Sequence, residues 1–136
     1  MAVQGLATIE SRFKPKETMD RLAEAVARRG MTALARIDHA KAAAEAGLDL
    51  RPTEVLVFGN PKAGTALMQD VQTIGVDLPL KALVWQDKGG KTWISWNEPR
   101  WLAERHEVAT GHEPVLAAMA AALAAVTAEA AGRADI

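Results

Sequence analysis

Four consecutive apolar residues, Val55-Leu56-Val57-Phe58, run straight into Gly59-Asn60-Pro61, and no other stretch constrains the fold as tightly. An uninterrupted apolar run of this length reads as a central strand covered on both faces. Gly59 allows a sharp turn or a close approach at the strand end. Asn60 is a good N-cap. Pro61 suits the first turn of a helix, where its missing N–H costs nothing. Strand, turn and helix are thus specified within a few residues. The helix is expected from Pro61 to about Gln72, and Pro79 precedes a further strand, Leu80 to Asp87.

The rest of the chain supplies similar signals. Ala7 and Ile9 share one face of a strand expected over residues 3–11. Pro15 opens a helix with Glu17 and Asp20 near its start and Arg28 and Arg29 at its end, as the helix dipole favours. Met19, Leu22 and Val26 form its apolar stripe, and Gly30 reads as its left-handed terminus. Met31 to Ile37 is the next expected strand. Asp38 then caps a short helix, Ala40 to Ala46, stopped by Gly47. Lys88-Gly89-Gly90 is a hairpin loop before a strand from Lys91 to Asn97. The register that places Trp85 opposite Trp93, Val84 opposite Ile94 and Asp87 opposite Lys91 pairs aromatics and opposite charges. Glu98-Pro99 begins another helix, and Gly111 to Pro114 breaks it. An alanine-rich helix then runs to about Ala131, with fraying expected from Gly132 onward.

The order β-α-β-α-β-α-β-β-α-α predicts an α+β fold. It forms one domain over residues 1–136, with a five-stranded sheet that includes an antiparallel hairpin and is packed with helices. Residues 98–136 read as a C-terminal helical extension. The longer connections leave room for crossovers, and spacing does not set the strand order.

Composition narrows the function classes. The 136 residues are 49% hydrophobic, enough for one well-filled core. Sixteen Lys and Arg against seventeen Asp and Glu argue against a general nucleic-acid binder, which needs a basic surface. The absence of cysteine excludes disulfides, thiolate metal sites and cysteine nucleophiles. With no basic start or long apolar run at the N-terminus, the expected location is cytoplasmic. Pro114 to Ala128 is uncharged but shorter than the ~20 residues of a spanning helix. A buried or interface helix is expected there, not a membrane span.

The densest candidate chemistry lies at the strand–helix junction. Gly59 to Thr65 approaches the spacing of a phosphate-binding Walker A loop, but Thr65 stands in the lysine position and Ala66 in the hydroxyl position. Nucleotide hydrolysis is therefore rejected. A weaker anion site remains, built on the helix N-terminus with Lys62 in its first turn. Arg51, Gly59, Asn60, Lys62 and Thr65 are the ligand-binding candidates. The competing reading is that Asn60 simply caps the helix. Gly64, inside the same helix, suggests that something packs tightly there, because glycine costs about 1 kcal/mol relative to alanine. Asp38 and His39 could serve acid–base chemistry, although an N-cap beside a solvated histidine is the favoured explanation. His39, His106 and His112 are too scattered to imply a metal, and no cofactor is expected. Trp96 joins Ile94 and Val84 as core. Trp85 and Trp93, on the other face, are freer for an interface.

The run from Arg36 to Gln69, R-x-D-H-A-x-x-A-x-x-A-G-L-x-L-R-P-T-E-V-L-V-F-G-N-P-K-A-G-T-x-L-M-Q, resembles the domain-of-unknown-function family 302. So does I-G-V-D-L-P-L-K-A-L-V-W from Ile74 to Trp85. The resemblance extends from the first strand to about Asn97 and leaves the C-terminal helix outside. It implies an α+β domain whose sheet contains antiparallel strands, with helices packed on it. No catalytic residue or cofactor comes with it.

The expectation is a homo-oligomeric domain that binds a small anionic or polar metabolite. The alternative is a homo-oligomeric interaction domain without a ligand, and an Asp38–His39 enzyme ranks behind both. The dimer is expected because the final helix has no charged side chain from Pro114 to Ala128. Its seam of Val115, Leu116, Met119, Leu123 and Val126 leaves further apolar surface to be covered on a second face. That helix, or the Trp85–Trp93 face, would form the interface.

Overall fold

The computed structural model of the chain describes residues 2–134. The hairpin around Gly89 and Gly90 forms in the expected register. Trp85 faces Trp93, Val84 faces Ile94, and the Asp87 N–H donates to the Lys91 carbonyl at 2.9 Å. Its arms are β4 (Leu80–Gln86) and β5 (Thr92–Asn97). β1 (Leu6–Ser11) pairs with β5, β3 (Thr53–Gly59) pairs with β4, and β2 (Thr32–Asp38) pairs with β3. The sheet order is β1-β5-β4-β3-β2, and every pair is antiparallel. The room left for parallel crossovers is not used within the sheet. α1 (Pro15–Arg28) instead carries the chain from one edge strand to the other.

Helices α1 and α5 (Glu113–Ala131) build the core on one face. Met19, Leu22 and Val26 of α1 are fully buried, as are Leu123 and Val126 of α5. Leu56, Phe58, Ala82, Val84 and Ile94 meet them from the sheet, with Trp96 beside them. Each such large side chain contributes about 1.5–3 kcal/mol when fully removed from water. β3 corrects one expectation. Leu56 and Phe58 are buried, but Val55 and Val57 are only half-buried on the opposite face. The run is apolar because both faces carry apolar neighbours, not because both are sealed.

The polar groups inside the core are satisfied. Ser11 Oγ lies 2.7 Å from Thr18 Oγ1, which also donates to the Lys14 carbonyl at 2.9 Å. Arg21 donates from Nη2 to the Glu129 carbonyl at 2.8 Å and from Nε to the Ala130 carbonyl at 3.3 Å, tying α1 to the C-terminus of α5. Its guanidinium lies 4.2 Å from the Phe13 ring centre.

Two further expectations change. The chain does not fray at Gly132. That residue takes φ +73°, and Arg133 Nε donates to the Glu10 carbonyl at 2.6 Å. Asp135 and Ile136 lie outside the described residues. Within the chain α5 is covered on one side only: Leu116, Met119, Leu123 and Val126 face inward, while Ala117, Ala118, Ala121 and Ala124 are exposed. The inward seam of α5 thus belongs to the core, and Leu102 and Ala103 join it. α2 (His39–Glu45), α3 (Pro61–Asp70), a 3-10 turn (Gln72–Val76) and α4 (Pro99–Arg105) complete the fold.

Candidate functional site

A cavity of about 470 Å³ opens where α3 leaves β3, within the usual range for small-molecule sites. Met31, Thr32 and Leu34 at the start of β2 form one wall, and Gly59 to Thr65 form the next. Met68, the Leu78–Leu80 segment and Met119 of α5 close the apolar side. Arg29, just past α1, is its one charged lining residue among the described residues.

The structure divides the candidate residues. Gly59, Asn60 and Thr65 line this cavity. Lys62 does not; it faces a shallower groove on the outer side of α3, together with Thr65 and Gln69. Asn60 Oδ1 accepts the Lys62 backbone N–H at 3.0 Å, so the cap role is filled. Arg51 lies before the other end of β3, about 20 Å away for a seven-residue strand. There its Nε donates to the Gln86 carbonyl at 3.2 Å. Asp38 sits at the far end of β2 from Thr32, and its carboxylate accepts the Lys41 N–H at 2.9 Å as the α2 cap. His39 is exposed beside it. These two residues are therefore remote from the cavity.

The glycines at the junction are less constrained than expected. A Cβ on Gly64 would meet Leu78 and Met68 at 3.8 Å, and one on Gly59 would meet Pro79 at 3.6 Å. Both are ordinary contacts, so neither site shows the tight approach inferred from the sequence. At Gly64 the helix simply borders the cavity.

The sequence reading missed a polar cluster. His106 Nε2 lies 2.6 Å from Asp77 Oδ2, and His106 Nδ1 lies 3.0 Å from Thr73 Oγ1. An ionised carboxylate only accepts, so Nε2 carries the proton toward Asp77; in the neutral imidazole Nδ1 then accepts from the Thr73 hydroxyl, and in the imidazolium the hydroxyl oxygen accepts from Nδ1. Arg105 Nη1 donates to the same Asp77 oxygen at 2.6 Å. Burial works to raise the Asp77 carboxyl, but the hydrogen bonds from His106 and Arg105 hold it below the usual carboxylate range. Nearby, His112 Nε2 lies 3.0 Å from Asp70 Oδ2. The pairs are nested, 70 with 112 and 77 with 106, as in two segments running antiparallel. Read along one helix, His106 and His112 share no face. Read across two segments, their separation of six positions is close to the seven between Asp70 and Asp77, and this was the available signal.

Hydroxyl, imidazole and carboxylate stand in the order that activates a nucleophile. Thr73, His106 and Asp77 are absent from the cavity wall, however. The row acts as a clasp, fastening the segment between α4 and α5 to the one after α3. Among the described residues no three His, Asp or Glu side chains converge as a metal ligand set.

A family model described as "Domain of unknown function DUF302" matches residues 7–126. The chain belongs to that family. The match runs well into α5, further than the motifs alone indicated, in keeping with the place of that helix in the core. A solved DUF302 protein, described as an uncharacterized conserved protein from Bacillus stearothermophilus, shares the fold with a TM-score of 0.83. It is 24% identical, and the match covers 94% of this chain and 99% of that one. Among curated proteins, "Fluoride-specific ion channel FluC 1" of Brucella suis is 48% identical over 128 residues, covering 94% of this chain and 50% of its own length. "Fluoride-specific ion channel FluC 2" of Brucella melitensis is also 48% identical, with 47% of its length covered. The chain spans about half the length of these curated relatives.

Proposed function

We propose that this domain is a ligand-binding module that takes a small metabolite with a polar or anionic group into the cavity beside α3. The cavity carries the reading. It is preformed, largely apolar and rimmed by a few polar groups, as small-molecule sites are. A thermal-shift screen over metabolites tests it. A compound at about 100 times its Kd adds about 2.7 kcal/mol of stability. The reading fails if no compound raises the melting temperature of a folded sample.

The channel activity in the relatives' names is assigned in this proposal to the half of those proteins that the chain does not match. α5 is the one helix, among the described residues, long and apolar enough to cross a membrane. Its inward seam is already spent on the core. A domain of this kind would accompany a channel as a sensing or docking unit, not form its pore.

Self-association is the second part of the proposal. The stacked Trp85 and Trp93 rings, 6.2 Å apart, adjoin half-buried Leu83 and Val55 on the sheet face away from the core. Their indole N–H groups are already bonded to Ser95 and Asp87, so the face offers apolar surface without unmet polar needs. A stable interface takes about 800 Å² per partner. Sedimentation equilibrium at micromolar concentration distinguishes the outcomes: a monomer removes this part, and a dimer lost in Trp93→Lys supports it.

A further inference from the structure

The walls of the cavity define the chemistry of what fits it. Met31, Met68 and Met119 line it, three of the chain's five methionines. Unbranched thioether side chains repack around apolar groups of differing length and shape. Leu34 and Leu78 extend the same surface. At the margin stands Arg29, exposed, and among the described residues its guanidinium has no hydrogen bond or ion pair. No acidic side chain lines the cavity among the described residues. A ligand cation would meet Arg29 with nothing to offset it. A wholly polar anion would leave the methionine wall uncovered. An elongated apolar chain ending in one negative group satisfies both ends at once, because a guanidinium binds carboxylate in a matched planar geometry.

We infer that the cavity is a site for amphipathic monocarboxylates, with the alkyl chain on the methionine wall and the carboxylate at Arg29. This rests on the cavity reading above and adds the ligand class and the residue that selects it. Thr32, Asn60 and Thr65 supply the remaining polar atoms of the rim.

The test is calorimetric titration of the full chain with hexanoate, octanoate and decanoate, and with 1-decanol and decylammonium as head-group controls. Each added methylene should tighten binding about fourfold as it leaves water. Decanoate should bind more tightly than decanol, and decylammonium should bind weakest. Arg29→Gln, a change at an exposed position, should weaken decanoate about fivefold and leave decanol unaltered. Ala122→Phe, which places a ring in the cavity wall, should abolish binding of both. Decanol binding as tightly as decanoate, or decanoate indifferent to Arg29→Gln, would overturn the carboxylate class while leaving the cavity as a ligand site. Decanoate bound equally by Ala122→Phe would place it elsewhere and overturn the assignment. No saturable binding of decanoate or decanol would defeat the ligand class here, while the metabolite screen separately decides whether the cavity binds anything.

Discussion

The two edges of the sheet are built from strands of similar length and opposite fate. At β1 the backbone is fastened at both ends. The Glu98 N–H donates to the Gly5 carbonyl at 2.8 Å, the Arg12 N–H to Ala131 at 3.0 Å, and Arg133 to Glu10. At β2 all seven residues are exposed, with Leu34 at 58% and Ile37 at 46%. A register shift between Ala33 and Ala35 interrupts the ladder there, which blunts an edge against uncontrolled pairing. Side chains supply its fastening: Arg36 bonds Glu54 at 2.8 Å and Asp20 at 2.9 Å. The hydrogen bond from Lys16 and then that from Arg36 hold the Asp20 carboxyl below its usual range, but the group is solvated and the link adds little. The closed edge belongs to the scaffold. The open edge contributes its start to the cavity wall.

The β1 edge is most vulnerable at Gly5. It sits at φ +76°, and a Cβ there would lie inside the Trp101 indole. Gly5→Ala combines a left-handed backbone with overpacking and should cost about 3–5 kcal/mol. Urea denaturation reads this directly; a loss below about 1 kcal/mol would mean the β1 edge is not the rigid one.

Between the edges lies the clasp. Asp77→Ala leaves Arg105 and His106 without their shared acceptor and should cost about 1–3 kcal/mol. Because the folded carboxyl titrates below its unfolded value, its contribution is complete above about pH 4 and disappears as pH falls through the lowered value. Acid titration of stability should therefore be flatter in the variant than in the parent. Parallel curves would show that the pair contributes nothing.

At the cavity, Gly64→Ala should stabilise by about 0.5–1 kcal/mol, since the methyl group finds only ordinary contacts and the helix gains propensity. A destabilised variant would restore the tight packing that the glycine suggested. The smallest effect is expected at the open edge itself. Leu34→Lys should change stability by no more than about 0.5 kcal/mol. A larger loss that grows with protein concentration would reveal a partner covering β2.

Local chemistry determined much of this protein from the sequence alone. The Asn60-Pro61 helix start, the Gly30 terminus, the hairpin register and the apolar stripe of α1 each depend on neighbours a few residues away, and each formed as read. The motif from Arg36 to Gln69 carried the family as well. Tertiary structure alone decided the strand order, the side of β3 that is sealed, the cavity and the clasp. The cavity joins Arg29, the start of β2, α3 and α5, and no local pattern encodes that meeting. The same holds for Asp77 with His106, twenty-nine positions apart. Arg51 and Lys62 show the converse: both lie close in sequence to the junction, yet a strand's length separates one from the cavity and the turn of a helix aims the other outward. Sequence proximity sets backbone conformation, whereas a site depends on which side chains the packed elements turn toward one another.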